Sequence, residues 1–361
     1  MRQLLHWTVA VPLLALVALA LTWGRELDVV PVVLVALLLA GAVLAAVHHA
    51  EVVAHRVGEP FGSLVLAVAV TVIEVGLIVM LTVSGGEETA TLARDTVFAA
   101  FMLTTTGIVG ISLLVGARRY GVTLFNAEGS GAALATVATL ATLSLVLPTF
   151  TTSQPGPEFS PGQLAFAALA SLALYVAFVL TQTVRHRDFF LPVAQHGQQD
   201  GEDEHAAPPS ARAALTSLGL LVVGLLAVVG LAKVESPAIE SAVAAAGFPH
   251  SFVGVVIAVL VLAPETLAAV RAARRGRIQT SLNLAYGSAI ASIGLTIPAI
   301  ALSSVWLDGP LLLGLGPTQM VLLVLTVVVS VLTVVPGRAT RLQGSVHLVL
   351  LAAFVFLAIN P

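Results

Sequence analysis

The residues that decide the fold are His250 to Ile300, HSFVGVVIAVLVLAPETLAAVRAARRGRIQTSLNLAYGSAIASIGLTIPAI. Pro264 and Glu265 interrupt one apolar run, and a second apolar run follows a loop with four arginines. A charged residue in the middle of a membrane-length segment costs roughly 2.5–3.5 kcal/mol on insertion scales. Pro264 has no N–H, so the carbonyl one turn earlier loses its helical partner. Freed backbone at that depth is tolerated only inside protein or beside water, so the combination indicates a cation site within a membrane.

The composition is that of a membrane protein. Hydrophobic residues make up 58% of the 361 residues and charged residues 10%, against about a quarter charged in soluble proteins. Cysteine is absent, which excludes disulfides, thiolate metal sites and cysteine nucleophiles. The sequence has no Walker-type or GxGxxG phosphate loop and no basic patch with interleaved aromatic residues. Neither a nucleotide energy source nor a nucleic-acid partner is therefore indicated.

Apolar runs of about 17–25 residues predict eleven transmembrane helices. They lie near residues 4–23, 28–50, 61–83, 94–116, 128–148, 162–184, 212–232, 250–272, 280–304, 316–335 and 342–360. We expect the first run to be retained, because it is long for the apolar region of a signal peptide. With a cytoplasmic N-terminus, all but Arg25, Arg94 and Lys233 of the 16 lysines and arginines fall inside, as the positive-inside rule requires. This predicts a bacterial inner-membrane protein whose C-terminus lies outside.

The longest polar interruption divides the chain into two sets of helices. It contains HGQQDGEDEHAAPP and predicts an acidic cytoplasmic linker at 185–211. A leading helix (1–27) and a five-helix repeat (28–184) precede it, and a second five-helix repeat (212–361) follows. Because five is odd, the second repeat must be inverted relative to the first. Inverted-repeat transporters place their sites at the membrane midplane between the repeats.

Each predicted repeat has one acid in its second helix. Glu74 is the only charge in the first such helix and Glu265 in the second, each about a dozen residues after a glycine, Gly62 or Gly254. Pairing with a buried arginine, or permanent protonation, is the structural alternative. Two facing carboxylates would bind a hard metal cation through oxygen, and once emptied they would repel each other and take up protons. Competition between cation and protons for Glu74 and Glu265 predicts antiport.

The ninth predicted helix has hydroxyl and amide groups that could complete a coordination shell. Ser281, Ser288, Ser292 and Thr296 follow one another at spacings of seven, four and four, and therefore share a face. Asn283 flanks that face. Helix packing through small and polar residues explains the pattern equally well. As supporting ligands we predict Asn283 and Ser288 first, then Ser281 and Ser292.

Several polar residues near the predicted cytoplasmic face could give protons or cations access. His48, Glu51 and His55 share a helical face and could also hold a transition metal, although satisfied interfacial residues are more common. Glu59 is predicted at the cytoplasmic mouth. Glu128 occupies a comparable position, where a helix-capping or first-turn acid is the ordinary explanation.

Three segments resemble bacterial ChaA-type calcium/proton antiporters of the calcium/cation antiporter superfamily. They are GEPFGSLVLAVAVTVIEVGLIV (58–79), FNAEGSGAALATVATLATLSLVLPTFT (125–151) and VLAPETLAAVRAARRGRIQTSLNLAYGSAIASIGLTIPAIAL (261–302). The resemblance implies one leading helix and two inverted five-helix repeats, each with an acid in its second helix. By position it assigns Glu74 and Glu265 as the paired acids and places Asn283 and Ser288 on the facing helix. Some relatives exchange sodium or potassium for protons.

The sequence thus predicts an all-α polytopic membrane protein that exports Ca2+ in exchange for H+. A monovalent (Na+ or K+)/H+ antiporter on the same fold is the alternative. From another class, an intramembrane metal-dependent enzyme could use His48, Glu51 and His55, but no HExxH motif is present; a passive channel is a third option. We expect no enzyme activity and no resident cofactor. The expected partners are inorganic cations, protons and the lipid bilayer, and the oligomeric state is not indicated.

Overall fold

The computed structural model describes residues 6–25, 27–58, 61–85, 90–193, 209–306 and 310–361. Eleven helical segments account for most of these residues, which confirms the predicted all-α class and the predicted number of helices. They are α1 (Trp7–Thr22), α2 (Val29–Val57), α3 (Phe61–Gly85), α4 (Leu92–Arg119), α5 (Ala127–Thr149), α6 (Pro161–Arg185), α7 (Ala211–Ala245), α8 (Phe252–Arg274), α9 (Ile278–Ser303), α10 (Pro317–Val334) and α11 (Arg341–Ile359).

Nine of these helices in the described part of the chain are long and apolar enough to cross a membrane, and α1 and the apolar part of α3 (Val68–Met80) are shorter. The strands in the described residues are one short antiparallel pair, β1 (Thr123–Leu124) with β2 (Arg338–Ala339). Helix α7 is 35 residues long and continues well past the predicted end at residue 232. Pro237 lies inside this helix. A proline is tolerated within a membrane helix because neighbouring helices can satisfy the backbone group that it frees.

Helix α4 is not a regular α-helix along its whole length. Leu103–Ile108 form a π-helical turn, in which the wider pitch leaves carbonyls available to other partners. One of them, the carbonyl of Thr105, accepts a 3.0 Å hydrogen bond from Nδ1 of the fully buried His347 on α11. The turn is therefore fixed by a neighbouring helix.

The described residues fall into two compact units. The first lies within Met1–Leu92 and Glu204–Val261, and the second within Ala93–Asp203 and Leu262–Pro361. Each unit thus takes helices from both halves of the chain, and α8 contributes to both. The predicted repeats follow one another along the sequence, whereas each compact unit combines segments from both of them. The division into two inverted repeats remains a prediction.

Small residues let the helices approach closely within each unit. In the first unit, a Cβ added to Gly76 of α3 would lie 2.4 Å from Val229 Cγ2 of α7, and one added to Gly230 would lie 2.4 Å from Leu19 Cδ2 of α1. In the second unit, a Cβ at Gly344 would lie 2.7 Å from the backbone nitrogen of Leu114. These contacts fix the relative levels of helices within a unit.

Candidate functional site

Glu74 lies near the middle of α3 in the first unit. Its side chain is 3% exposed, and the neighbouring Ile73 and Leu77 are also buried. Val72 is 43% exposed, so the helix turns its other side outward. The acid is therefore enclosed by protein rather than turned toward the helix surface.

Glu265 lies in α8, directly after Pro264, in the part of the helix that belongs to the second unit. Its side chain is 9% exposed. Pro264 cannot donate to the Leu260 carbonyl, and the Thr266 hydroxyl donates to the Leu262 carbonyl over 2.7 Å. Each compact unit thus contains one of the two predicted acids, and each acid is buried within a long apolar helix.

Ser281 joins three helices of the second unit. Its Oγ lies 2.6 Å from Ser112 Oγ on α4 and 2.9 Å from the Ala269 carbonyl on α8. A hydroxyl has one proton to donate. The Ser281 hydroxyl can therefore donate to the Ala269 carbonyl while it accepts from the Ser112 hydroxyl. Ala269 is one turn beyond Glu265, so this contact attaches α9 to the helix that bears the acid. Whether Ser281 also binds a cation remains a prediction.

Asn283 belongs to a hydrogen-bond network at the start of α9. Its Nδ2 donates to the Phe190 carbonyl over 2.7 Å, and its Oδ1 accepts from Gln279 Nε2 over 2.8 Å. Gln279 Oε1 in turn accepts from the backbone N–H of Asn126 over 2.7 Å. One Oδ1 lone pair of Asn283 remains for another partner. Gln279 was assigned no role from the sequence, yet this fully buried residue orients the Asn283 amide.

The other hydroxyls of α9 differ in depth. Ser292 is 5% exposed and Thr296 is fully buried, whereas Ser288 is half-buried. The adjacent Gly287 has open space where a Cβ would stand. Ser281, Ser288, Ser292 and Thr296 lie on one helical face. Of these four, Ser288 is the only one that is not buried.

Four of the five predicted access residues lie in the described part of the chain, and all four are exposed. His48, Glu51 and His55 are exposed on α2, and Glu59 lies outside the described residues. Glu128 is exposed in the first turn of α5, where Asn126 Oδ1 caps the helix by accepting from the N–H groups of residues 128 and 129 over 2.9 and 3.0 Å. Their access roles remain predictions.

The buried histidine of this region is His49, which the sequence did not distinguish from its neighbour. Its Nε2 donates to the Thr8 carbonyl over 2.8 Å, and its Nδ1 lies 3.2 Å from Ser217 Oγ. The ring is 3% exposed and joins α1, α2 and α7. Helix α1 is therefore part of the core of the first unit.

Comparison with known proteins identifies the family. The model of the sodium/calcium exchanger protein family matches residues 28–184 and 216–360. The chain is 45% identical over 363 residues to y4hA of Sinorhizobium fredii, named as an ionic transporter, covering 98% of this chain and 96% of that protein. It is 37% identical over 350 residues to the sodium-potassium/proton antiporter ChaA of Escherichia coli, covering 95% and 93%. The chain belongs to the sodium/calcium exchanger family.

Solved structures share the fold of this family member. Native YfkE matches with a TM-score of 0.69 at 17% identity, over 98% of both chains. The H+/Ca2+ exchanger CAX matches with a TM-score of 0.68 at 17% identity, over 99% of this chain and 93% of that chain. The predicted resemblance to ChaA-type antiporters of the calcium/cation antiporter superfamily is thereby confirmed.

Membership of the sodium/calcium exchanger family makes the chain a multi-pass membrane transporter and not an enzyme, as predicted. Its ions are transported substrates rather than resident cofactors. The same matches support the prediction that the chain is a cation/proton antiporter. Among the described residues, no three His, Asp or Glu side chains form a group that could hold a metal.

Proposed function

We propose that this transporter exports Ca2+ in exchange for H+, with Glu74 and Glu265 as the cation- and proton-binding residues. The observation that carries the proposal is that both acids are buried, at 3% and 9% exposure, within apolar helical segments. An ionisable residue in that position has a functional role by default. A divalent cation neutralises two carboxylates, and two protons do the same, so the two cargoes compete for the same two side chains.

The relatives support both a divalent and a monovalent substrate. A Ca(2+)/H(+) antiporter of Aphanothece halophytica is 24% identical over 268 residues, covering 70% of this chain and 71% of that protein. The E. coli relative at 37% identity is named for sodium, potassium and protons. The second candidate function is therefore monovalent cation/proton exchange through the same two acids.

Ser288 and Asn283 are the supporting ligands we favour. Ser288 is half-buried beside Gly287, and Asn283 Oδ1 retains a lone pair after accepting from Gln279. Ser281 holds α4, α8 and α9 together, and Ser292 lies deeper. Both come second as ligands.

The access route we propose runs along the cytoplasmic face. The exposed groups of α2 and Glu128 of α5, together with Glu59, attract cations and exchange protons there. This follows the predicted orientation, with a cytoplasmic N-terminus and an external C-terminus in a bacterial inner membrane.

Everted vesicles containing a pH-sensitive dye test the function. After acidification of the interior, each cation is added alone, and dye dequenching reports proton release against that cation. We expect dequenching with Ca2+, and its loss in Glu74→Gln and Glu265→Gln. The exposed acids Asp28 and Asp188 provide controls, because D28N and D188N should retain exchange.

Three results would overturn the proposal. Ca2+/H+ exchange retained in either Glu→Gln variant would remove that residue from the site. Dequenching with Na+ or K+ but not with Ca2+ would establish the second candidate function instead. Flux that does not depend on the proton gradient would identify a channel.

A further inference from the structure

Glu235 is a buried acid that neither the sequence analysis nor the proposed function uses. It lies in α7, its side chain is 2% exposed, and among the described residues no hydrogen bond reaches its Oε1. The next residue, Ser236, is also buried, and its hydroxyl donates to Glu240 Oε1 over 3.0 Å. Pro237 follows, so the Lys233 carbonyl loses its helical partner. The carboxyl is thus enclosed by protein beside an interrupted part of the helix.

Helices α1, α2 and α3 pack against α7 in the first unit. The described charged or titratable residues on these elements, their flanks and α7 are His6, Arg25, Asp28, His48, His49, Glu51, His55, Arg56, Glu74, Arg212, Lys233, Glu240 and His250. The histidine cluster of α2 is remote, because His49 contacts Ser217, eighteen residues and about 27 Å before Glu235 along α7. Lys233 places its Nζ 5.0 Å above the Trp23 ring, and residues two apart in a helix do not face each other. The structure records no ion pair between Glu235 and any of these groups.

The Gly76–Val229 contact sets the level of Glu235 relative to Glu74. Glu74 is two residues before Gly76 on α3, and Glu235 is six residues after Val229 on α7. Three membrane crossings, α4, α5 and α6, lie between α3 and α7 in the chain, so the two helices run in the same direction. Eight residues at 1.5 Å each place Glu235 about 12 Å beyond Glu74, toward the face where both helices end. In the predicted orientation that face is the outside.

We infer that Glu235 is a proton-binding carboxyl on the route between the outer face and Glu74. This rests on the proposed function. A buried carboxylate without a compensating charge is costly, so the group holds a proton while it is enclosed. Freed backbone at this depth is tolerated inside protein or beside a wet cavity, and Pro237 frees the Lys233 carbonyl in the same turn of α7 as the acid. Water brings a proton to the carboxylate, and the same proton later leaves through water toward Glu74, with no covalent bond made.

The variant Glu235→Gln tests this role, because glutamine keeps the shape of the protonated acid and cannot carry the proton onward. Exchange is measured in right-side-out vesicles as the pH of the bath, at the outer face, is varied. We expect the rate in E235Q to fall by about 100-fold, the lower end of what a positioned proton-transfer group contributes. The control D28N, an exposed acid in the α1–α2 turn beside this end of α7, should follow the wild type. Unchanged exchange in E235Q would show that the acid is only a packing residue.

A second measurement does not depend on transport. Infrared difference spectra of the reconstituted protein, recorded across a pH series, detect protonated carboxyl groups. We expect one titrating carboxyl band that is absent in E235Q and retained in E74Q. A spectrum of E235Q identical to that of the wild type would overturn the inference even if the wild type exchanges cations. If the wild type fails to exchange any cation, the proposed function fails and the spectra still decide whether Glu235 titrates. The melting temperature of E235Q confirms that the variant is folded.

Discussion

Replacing Gly76 with alanine tests the contact that sets the relative levels of Glu74 and Glu235. The added Cβ would lie 2.4 Å from Val229 Cγ2 and 3.6 Å from both Cβ and Cγ1 of the same side chain, so one methyl group must move. Overpacking of this kind costs about 1–3 kcal/mol, and the better helix propensity of alanine offsets up to about 1 kcal/mol. We expect G76A to be less stable by about 1 kcal/mol. For a protein of this size, that corresponds to a melting temperature lowered by about 2 °C.

A double-mutant cycle separates the contact from other effects of the substitution. V229A removes the methyl group that the new Cβ would meet, so G76A should not add a clash in that background. The double variant should therefore be more stable than the sum of the single changes by about 1–2 kcal/mol, within the range for residues in contact. Thermal denaturation of all four proteins in the same detergent measures the cycle.

Gly219 provides the matched control for this experiment. It lies on α7, the helix of Val229, and an added Cβ would meet nothing within 4 Å. G219A should therefore leave stability unchanged or raise it. Additive effects of G76A and V229A would refute the close approach of α3 and α7. The 12 Å step between Glu74 and Glu235, which follows from helix rise at that contact, would then lose its basis.

Two further predictions concern hydrogen-bonded side chains. S281A should lower stability by about 1 kcal/mol, because it removes interhelical hydrogen bonds, and should lower the apparent cation affinity less than S288A does. S288A should lower the cation affinity and leave the melting temperature unchanged. The opposite pattern would contradict the order of ligands proposed above. H49F should lower stability by about 2 kcal/mol, because the Thr8 carbonyl and the Ser217 hydroxyl lose a buried partner, and H48F, at an exposed position, is its control. Equal melting temperatures for H49F and H48F would show that the His49 contacts do not hold α1 in place.

Hydropathy was sufficient to predict the eleven helices, because a membrane-length apolar run has few alternatives to a helix. It could not predict which residue of a uniformly apolar helix faces inward. In α2, His48 and His49 are adjacent and only His49 is buried, which depends on the positions of α1 and α7. Glu235 was missed because Lys233 ends the apolar run and Pro237 suggests a helix end. An acid within two residues of a proline inside an apolar stretch, as Glu265 also is in α8, was the signal that could have revealed it.

The choice between Ca2+ and a monovalent cation depends on neutral oxygens rather than on the two acids. One Ca2+, two monovalent cations or two protons all neutralise two carboxylates, so charge alone does not select among them. Ca2+ requires six to eight oxygen ligands, and two carboxylates supply at most four. On α9, Ser281 is occupied by contacts between helices, and Asn283 shares its oxygen with Gln279. Under the proposed function, Ca2+ would therefore need Ser288, the remaining lone pair of Asn283 and water as further ligands, whereas a monovalent cation could bind with fewer of them.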